Sequence, residues 1–414
     1  MAWKGSSNID GGFVIDLRNI QYVDISPDRK SVSLGPGSTW REVYHDLAPF
    51  NLITTGGRLA DVGVGGFFMG GGTSHFSSAT GFGSANVFNY ELVLSNGTIV
   101  NANEGEHPDL YWALKTGSTN YGIVTRFDMH TFPMSSMWGS LTSYALSHST
   151  GIPDILKNWV SYRSKLGKRG NADAVDAAQL ILARSNGKRI SMVTRYYTEP
   201  TPRKPFTTAT PIFREERVGS VYDITNEIFA EKFYPNSRVV WYTWTTGTDK
   251  QFFWDQYVGV DRILNRRLGD VEGIEWAIFH QPVSESFIEA SYGTPMYSSL
   301  KGIKDATVQL LSVTWTNPSD DDLVEEVTGE VAIWAEAEAR ERRLLYDFIY
   351  MNYAHRTQPV YERSYSEEVL EKLRRVKKAY DSDGTFDDLW RGGFKIPLAV
   401  ASANGEDVHY RTEL

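Results

Sequence analysis

The 414-residue sequence predicts an α+β fold in which an antiparallel sheet carries helices on one face. Three observations point there. The first third is rich in glycine and β-type residues. The middle third sets strand candidates between amphipathic helices, and the last third is helical.

Taken in order, Phe13–Leu17 reads as a short strand, and Ile20–Leu34 as two more around the Ser26-Pro27-Asp28 turn. Gly35-Pro36-Gly37 leads into a helix at Trp40–Leu47, capped by Ser38 or Thr39. The densest glycine segment follows at Thr54–Gly83. Asn89–Asn101 reads as a hairpin whose Asn96-Gly97 turn supplies the positive φ that such a turn needs. Pro108–Leu114 is a short helix with proline at its first position. Ile123, Thr125, Phe127 and Met129 alternate with Val124, Arg126, Asp128 and His130, as in a half-buried strand.

Pro153–Leu166 is an amphipathic helix with Ile155, Leu156, Trp159 and Val160 on one stripe. Strand candidates follow at Gln179–Ala183, Ile190–Thr198, Arg238–Thr246, Gly273–Phe279 and Ala306–Trp315, with helices at Asn226–Lys232 and Gln251–Arg266. The proline-rich run Glu199–Pro205 is an extended loop. A helix from about Asp320 to Leu345 begins on three aspartates and ends near Arg340, Arg342 and Arg343, a polarity that suits the helix dipole. A last helix, Ser366–Tyr380, stops at Asp381-Ser382-Asp383-Gly384.

Composition narrows the function. With 42 Lys+Arg against 51 Asp+Glu the net charge is −9, which argues against a nucleic-acid partner. The absence of cysteine excludes disulfides, thiolate metal sites and cysteine nucleophiles. Twelve Trp, 22 Tyr and 20 Phe suit a large apolar pocket for a flat ligand. No apolar run reaches the ~18 residues of a membrane span. The start, MAWKGSSNIDGG, lacks the pattern of a signal peptide, so the chain reads as soluble with its compartment open.

Familiar motifs fail. No Gly-Lys-Ser/Thr follows a glycine at Walker spacing, a dinucleotide fingerprint would need Gly where Phe68 stands, and no GxSxG occurs. The eight His show no HExxH, so no metal site is expected. What remains is Val62-Gly63-Val64-Gly65-Gly66-Phe67-Phe68-Met69-Gly70-Gly71-Gly72, whose glycines allow close backbone approach to a ligand, or tight turns between short strands.

The runs at 35–47 (GPGSTWREVYHDL), 54–74 (TTGGRLADVGVGGFFMGGGTS) and 101–127 (NANEGEHPDLYWALKTGSTNYGIVTRF) closely resemble the flavin-binding region of the vanillyl-alcohol-oxidase superfamily, in its berberine-bridge-enzyme-like branch. Tyr350-Met351-Asn352-Tyr353 resembles that family's Tyr-x-Asn-Tyr motif, and Leu373–Phe386 with Gly392-Gly393-Phe394-Lys395 resembles its C-terminal tail. The resemblance implies a split FAD-binding domain of the PCMH type, residues 1–133 and 346–414, around a substrate domain at 134–345. It implies FAD contacts at Gly57, Val62, Gly63, Gly66, Gly71, Gly72, Gly122, Val124 and Asn352, with Tyr350 as the catalytic base. It further implies a small-molecule substrate, a secondary metabolite or sugar, whose hydride passes to flavin N5, and molecular oxygen as acceptor; the small Val62 suits oxidase behaviour. A phenol acts as a base only if neighbours hold its anion. Trp241, Tyr242, Trp244, Trp276 and Trp315 are candidates for the pocket wall, of which alternation allows only some.

Departures from the family pattern set further expectations. Leu59 stands where a cysteinyl flavin link forms in relatives, so FAD is not attached through sulfur. Phe67 and Ala85 replace a His and an Asp. The family's Gly-Gly-His would place its flavin-linking His just before Met1, so the chain is expected to lack histidyl attachment and the subdomain preceding it. A non-redox pocket protein that steers a cyclisation, or a form unable to hold FAD, is the alternative reading.

Overall fold

A computed structural model describes residues 3, 5–146, 151–163, 176–228 and 237–398. Its strands are β1 (Val23–Ile25), β2 (Ser31–Leu34), β3 (Leu52–Ile53), β4 (Val87–Val93), β5 (Ile99–Asn103), β6 (Ile123–His130), β7 (Phe132–Pro133) and β8 (Met137–Ala145). They continue as β9 (Asp176–Ser185), β10 (Lys188–Tyr197), β11 (Phe213–Gly219), β12 (Arg238–Thr246), β13 (Glu275–Ser284), β14 (Asp305–Trp315) and β15 (Leu345–Tyr346). Among the described residues, five strands form a sheet in the order β1-β2-β6-β4-β5 and eight form a second, β11-β8-β10-β9-β13-β14-β12-β15. The paired neighbours run antiparallel, as an α+β fold requires.

The five-stranded sheet packs with the helix Trp40–Leu47, whose Thr39 cap and Glu42 form a reciprocal capping box. The core around Trp40, Phe68, Tyr90 and Phe127 also takes in Tyr350, Tyr361 and Leu373, so both ends of the chain share one interior. A bulge where β4 pairs with β6, between Glu91 and Leu92, shifts the expected alternation. Val124 therefore joins Phe127 and Met129 inside.

The eight-stranded sheet has one covered face. Leu180, Trp244, Ile278 and Leu311 on it pack with Tyr257 and Val260 of the helix Lys250–Leu268 and with Val327 and Val331 of the helix Asp321–Glu341. Burying each such aliphatic side chain contributes roughly 1.5–3 kcal/mol. The two helices approach closely because residue 259 is glycine: a Cβ there would lie 2.1 Å from the Trp334 ring.

Several expectations are corrected. Phe13–Leu17 is irregular, with Phe13 81% exposed, because no neighbouring strand offers it a ladder. The helix beginning at Asp321 ends at Glu341, and Leu345 turns into β15. β8 and β11 were not read from sequence. The first is rich in Gly and Ser, and the second is a charged edge strand held by β8 alone. The glycine segment contains a helix, Val64–Met69. The expected helix ends at Leu166 and Lys232 lie outside the described residues. Among the described residues no helix is long and apolar enough to cross a membrane.

Candidate functional site

The glycine segment is pinned to the helix Trp40–Leu47. Trp40 N donates to Val62 O at 3.1 Å and Val64 N to Ser38 O at 2.9 Å. Its glycines then sort into two kinds. Gly57, Gly71 and Gly72 are packed against the protein: a Cβ would meet Trp40 at 2.5 Å, Met296 at 2.8 Å and Phe67 at 2.4 Å, respectively. Gly71 and Gly72 also have φ of +101° and +80°, a conformation that a side chain would strain. Gly63 and Gly66 are exposed, and a Cβ at either would meet nothing. Beside the half-buried Val62 they form an open stretch of backbone on which a phosphate or a flat ring fits without displacing protein atoms. This stretch fits FAD. A Cβ at Gly122 would lie 2.7 Å from Val93 O and Val124 is 6% exposed, so the structure places both in packing.

The Tyr-x-Asn-Tyr motif forms a tight turn over Met351–Tyr353. Asn352 Nδ2 donates to Phe67 O at 2.9 Å and to the Tyr350 hydroxyl at 3.3 Å. Residue 70 must be glycine for this, since a Cβ would lie 2.1 Å from Asn352 Oδ1. Asn352 therefore joins the motif to the glycine segment. Tyr350 is fully buried, near-parallel to Phe82 at 6.0 Å and edge-on to Tyr353 at 4.7 Å. Burial holds its pKa above the ordinary phenol value, with a smaller push from Tyr353; contacts with Thr73 and Asn352 and the charge of Arg58 oppose this.

Tyr353 is half-buried, and its hydroxyl has the more polar surroundings. Arg58 Nη2 donates to it at 2.8 Å, and it donates to Gln281 Oε1 at 3.1 Å. The same Nη2 reaches Gln281 Oε1 at 2.6 Å and Thr73 Oγ1 at 2.9 Å. This cluster joins three distant parts of the chain: the glycine segment, β13 and the C-terminal motif. Sequence reasoning did not assign Arg58 or Gln281. The signal for Arg58 was a lone cation inside a glycine-rich run; Gln281 had none.

Gln281 belongs to the second face of the eight-stranded sheet. On that face Leu141, Met192, Ala277, Phe279 and Ser312 line a cleft of about 330 Å³. Trp241 stands edge-on to Tyr353 at 5.8 Å, and its Nε1 donates to Ser312 Oγ at 2.9 Å, linking motif to cleft. Of the five aromatic wall candidates, Trp241 faces this side and Tyr242, Trp244 and Trp315 lie in the helix-covered core; Trp276 packs in that core and also lines the cleft.

Residues 2–103 match the family described as FAD binding domain, and residues 349–388 the one described as berberine and berberine like. The chain is 31% identical over 416 residues to the FAD-dependent monooxygenase prx3 of Penicillium roqueforti, covering 96% of this chain and 80% of that protein. It is 30% identical over 407 residues to the FAD-dependent monooxygenase drtC of Aspergillus calidoustus, covering 95% and 75%. The fold matches crystalline 6-hydroxy-D-nicotine oxidase of Arthrobacter nicotinovorans with a TM-score of 0.73 at 18% identity, over 92% of this chain and 82% of that one. The two family matches, with a relative 31% identical over 96% of this chain, identify it as a member of the berberine-bridge-enzyme-like FAD-linked oxidoreductases.

Proposed function

We propose that this oxidoreductase takes hydride from an alcohol, amine or similar group of a small organic substrate, a secondary metabolite or a sugar, lodged on the sheet face that carries the cleft, which Trp241 links to Tyr353. Residues 1–133 and 346–414 serve as the FAD-binding unit and 134–345 as the substrate unit; the two chain ends share one core, which Met137, Leu141, Val283 and Phe287 of the substrate unit also enter. Gly63, Gly66 and Val62 hold the cofactor, with Asn352 fixing the neighbouring turn. FAD held there would supply the hydride acceptor, with molecular oxygen as the final electron acceptor in this reading. No cysteine exists to tether it, and Leu59 occupies the position where relatives place one.

The proton belongs to the Tyr350–Tyr353 pair. Tyr353 meets the substrate, and its Oη takes the proton; Tyr350 stands behind it and sets its angle. Arg58 offsets the negative charge that Tyr353 must carry as a base, through a charge-assisted hydrogen bond. The Arg58–Tyr353–Gln281 cluster, whose Gln281 follows the cleft-lining Phe279 by two residues on the same face of β13, is the observation that carries this reading.

The purified chain should show the visible absorption of flavin. Tyr353→Phe should leave that absorption in place and slow flavin reduction by about 10²–10⁴-fold in stopped flow, the usual contribution of a positioned acid or base. A folded, colourless protein, or a Tyr353→Phe variant that reduces flavin at the wild-type rate, overturns the reading.

A further inference from the structure

Arg58 is unlike the other arginines held in the interior. Arg126, Arg163, Arg195 and Arg363 each pair with a carboxylate, from Glu91, Asp305, Asp176 and Glu336 in turn. Arg58 is half-buried, and among the described residues its hydrogen-bond partners are three neutral oxygens, all on Nη2. Its Nε and Nη1 have no acceptor there, and neither atom is sealed from accessible space. A cation withdrawn from water without an anion is costly, and a guanidinium fork is shaped for a carboxylate.

The surroundings repeat the same imbalance. Arg58 lines a cavity of about 40 Å³ together with Thr73, His75, Gln179, Tyr196 and Gln281. That volume accommodates a carboxylate-sized group or the few waters that stand in for one. None of these side chains is an acid. His75 is 2% exposed; its Nε2 lies 3.2 Å from Thr225 Oγ1, and its Nδ1 is a buried atom without a partner among the described residues. With Nε2 accepting from the threonine hydroxyl, Nδ1 carries a hydrogen and seeks an acceptor. Burial, with the charge of Arg58 second, keeps this ring neutral. Arg58 therefore brings unmet guanidinium donors to this cavity, beside the neutral His75 ring that helps wall it. Gln281 of its wall shares a sheet face with the larger cleft.

We infer that Arg58 forms an oxyanion pocket, walled in part by the neutral His75 ring, that anchors substrates bearing an anionic oxygen: a carboxylate, or an enolate or phenolate of matching reach. The inference rests on the proposed substrate cleft and adds the class of compound it accepts. The anchor turns the acidic end of the substrate toward Arg58 and leaves the remainder along the sheet face that Gln281 shares with the cleft.

Benzoate and its neutral isostere benzamide test this in the holoprotein by titration calorimetry, which reads binding whether or not flavin is reduced. Wild type should bind benzoate at least tenfold more tightly than benzamide. Arg58→Gln should erase the preference, and Arg58→Lys, which keeps the charge without the fork, should retain part of it. Circular dichroism establishes that each variant is folded. If Arg58→Gln fails to fold, Arg58→Lys decides: reduced preference supports the pocket and unchanged preference overturns it. Equal affinity of wild type for the two probes overturns it outright. Equal affinity with a shifted flavin potential in Arg58→Gln assigns the cation to the cofactor and overturns it likewise. A chain without flavin that still prefers benzoate tells against the redox reading alone. A turning-over enzyme that binds both probes equally tells against the pocket alone.

Discussion

Along β13, Trp276 and Ile278 enter the helix-covered core, while Ala277, Phe279 and Gln281 look the other way, toward the cleft and Arg58. β12 repeats the division: Tyr242 and Trp244 lie under the helices, and Trp241 between strand neighbours stands against Tyr353. The indoles show the difference most plainly. Trp244 and Trp276 are packed so tightly that their Nε1 atoms find no partner among the described residues, whereas Trp241 Nε1 has Ser312. One face is organised by volume and the other by hydrogen bonding. A shift of one residue in register would exchange them, which is why the pairing must be so continuous.

Replacing one tryptophan on each face should separate these roles. Trp244→Ala removes a fully buried side chain and should cost about 3–5 kcal/mol in urea denaturation. Trp241→Ala removes a half-buried one and should cost about 1–2 kcal/mol, with its main effect on substrate-driven flavin reduction. Equal destabilisation by the two variants would break the distinction between the faces.

Much of this frame was legible in the sequence. Arg238–Thr246 was readable to its ends because β-branched and aromatic residues crowd it, and Trp40–Leu47 because Thr39 and Glu42 mark its start. The glycine segment announced itself too, although several of its glycines make room for Trp40, Phe67 and Asn352. The site itself was harder. Arg58 meets Gln281 and Tyr353 across 223 and 295 residues, and no local pattern encodes such a meeting. β8 was missed for a related reason: it is held between β10 and β11 by tertiary pairing, with little strand propensity in Gly139, Ser140 and Ser143.

Acid should act chiefly through the covered face. His280, on that face, packs against Phe253 at 4.7 Å, and its Nδ1 lies 3.3 Å from Leu180 O. Burial pushes its pKa down to about 3 from 6.5. Below pH 6.5 the unfolded chain gains a proton that the folded one refuses until about pH 3, so stability present above pH 6.5 is lost as pH falls. Between pH 7 and pH 5 this group alone should remove ~2 kcal/mol. His280→Gln should be less stable at pH 7, and its deficit should narrow by that amount at pH 5 in paired urea titrations. A constant deficit would mean that the imidazole is not kept neutral by the core.

The smallest change tests the cleft-facing side. Ser312→Ala deletes the acceptor of Trp241 Nε1 without opening a cavity larger than a hydroxyl. Trp241 is half-buried, so water can replace the lost partner, and the cost should stay near 0.5–1.5 kcal/mol. The indole, freed from its tether, should then swing relative to Tyr353. Substrate-driven flavin reduction should slow although the chain unfolds at nearly the wild-type urea concentration. If Ser312→Ala destabilises the protein as severely as Trp244→Ala, the second face is also a packing surface, and the hydrogen bond from Trp241 serves the fold rather than the cleft.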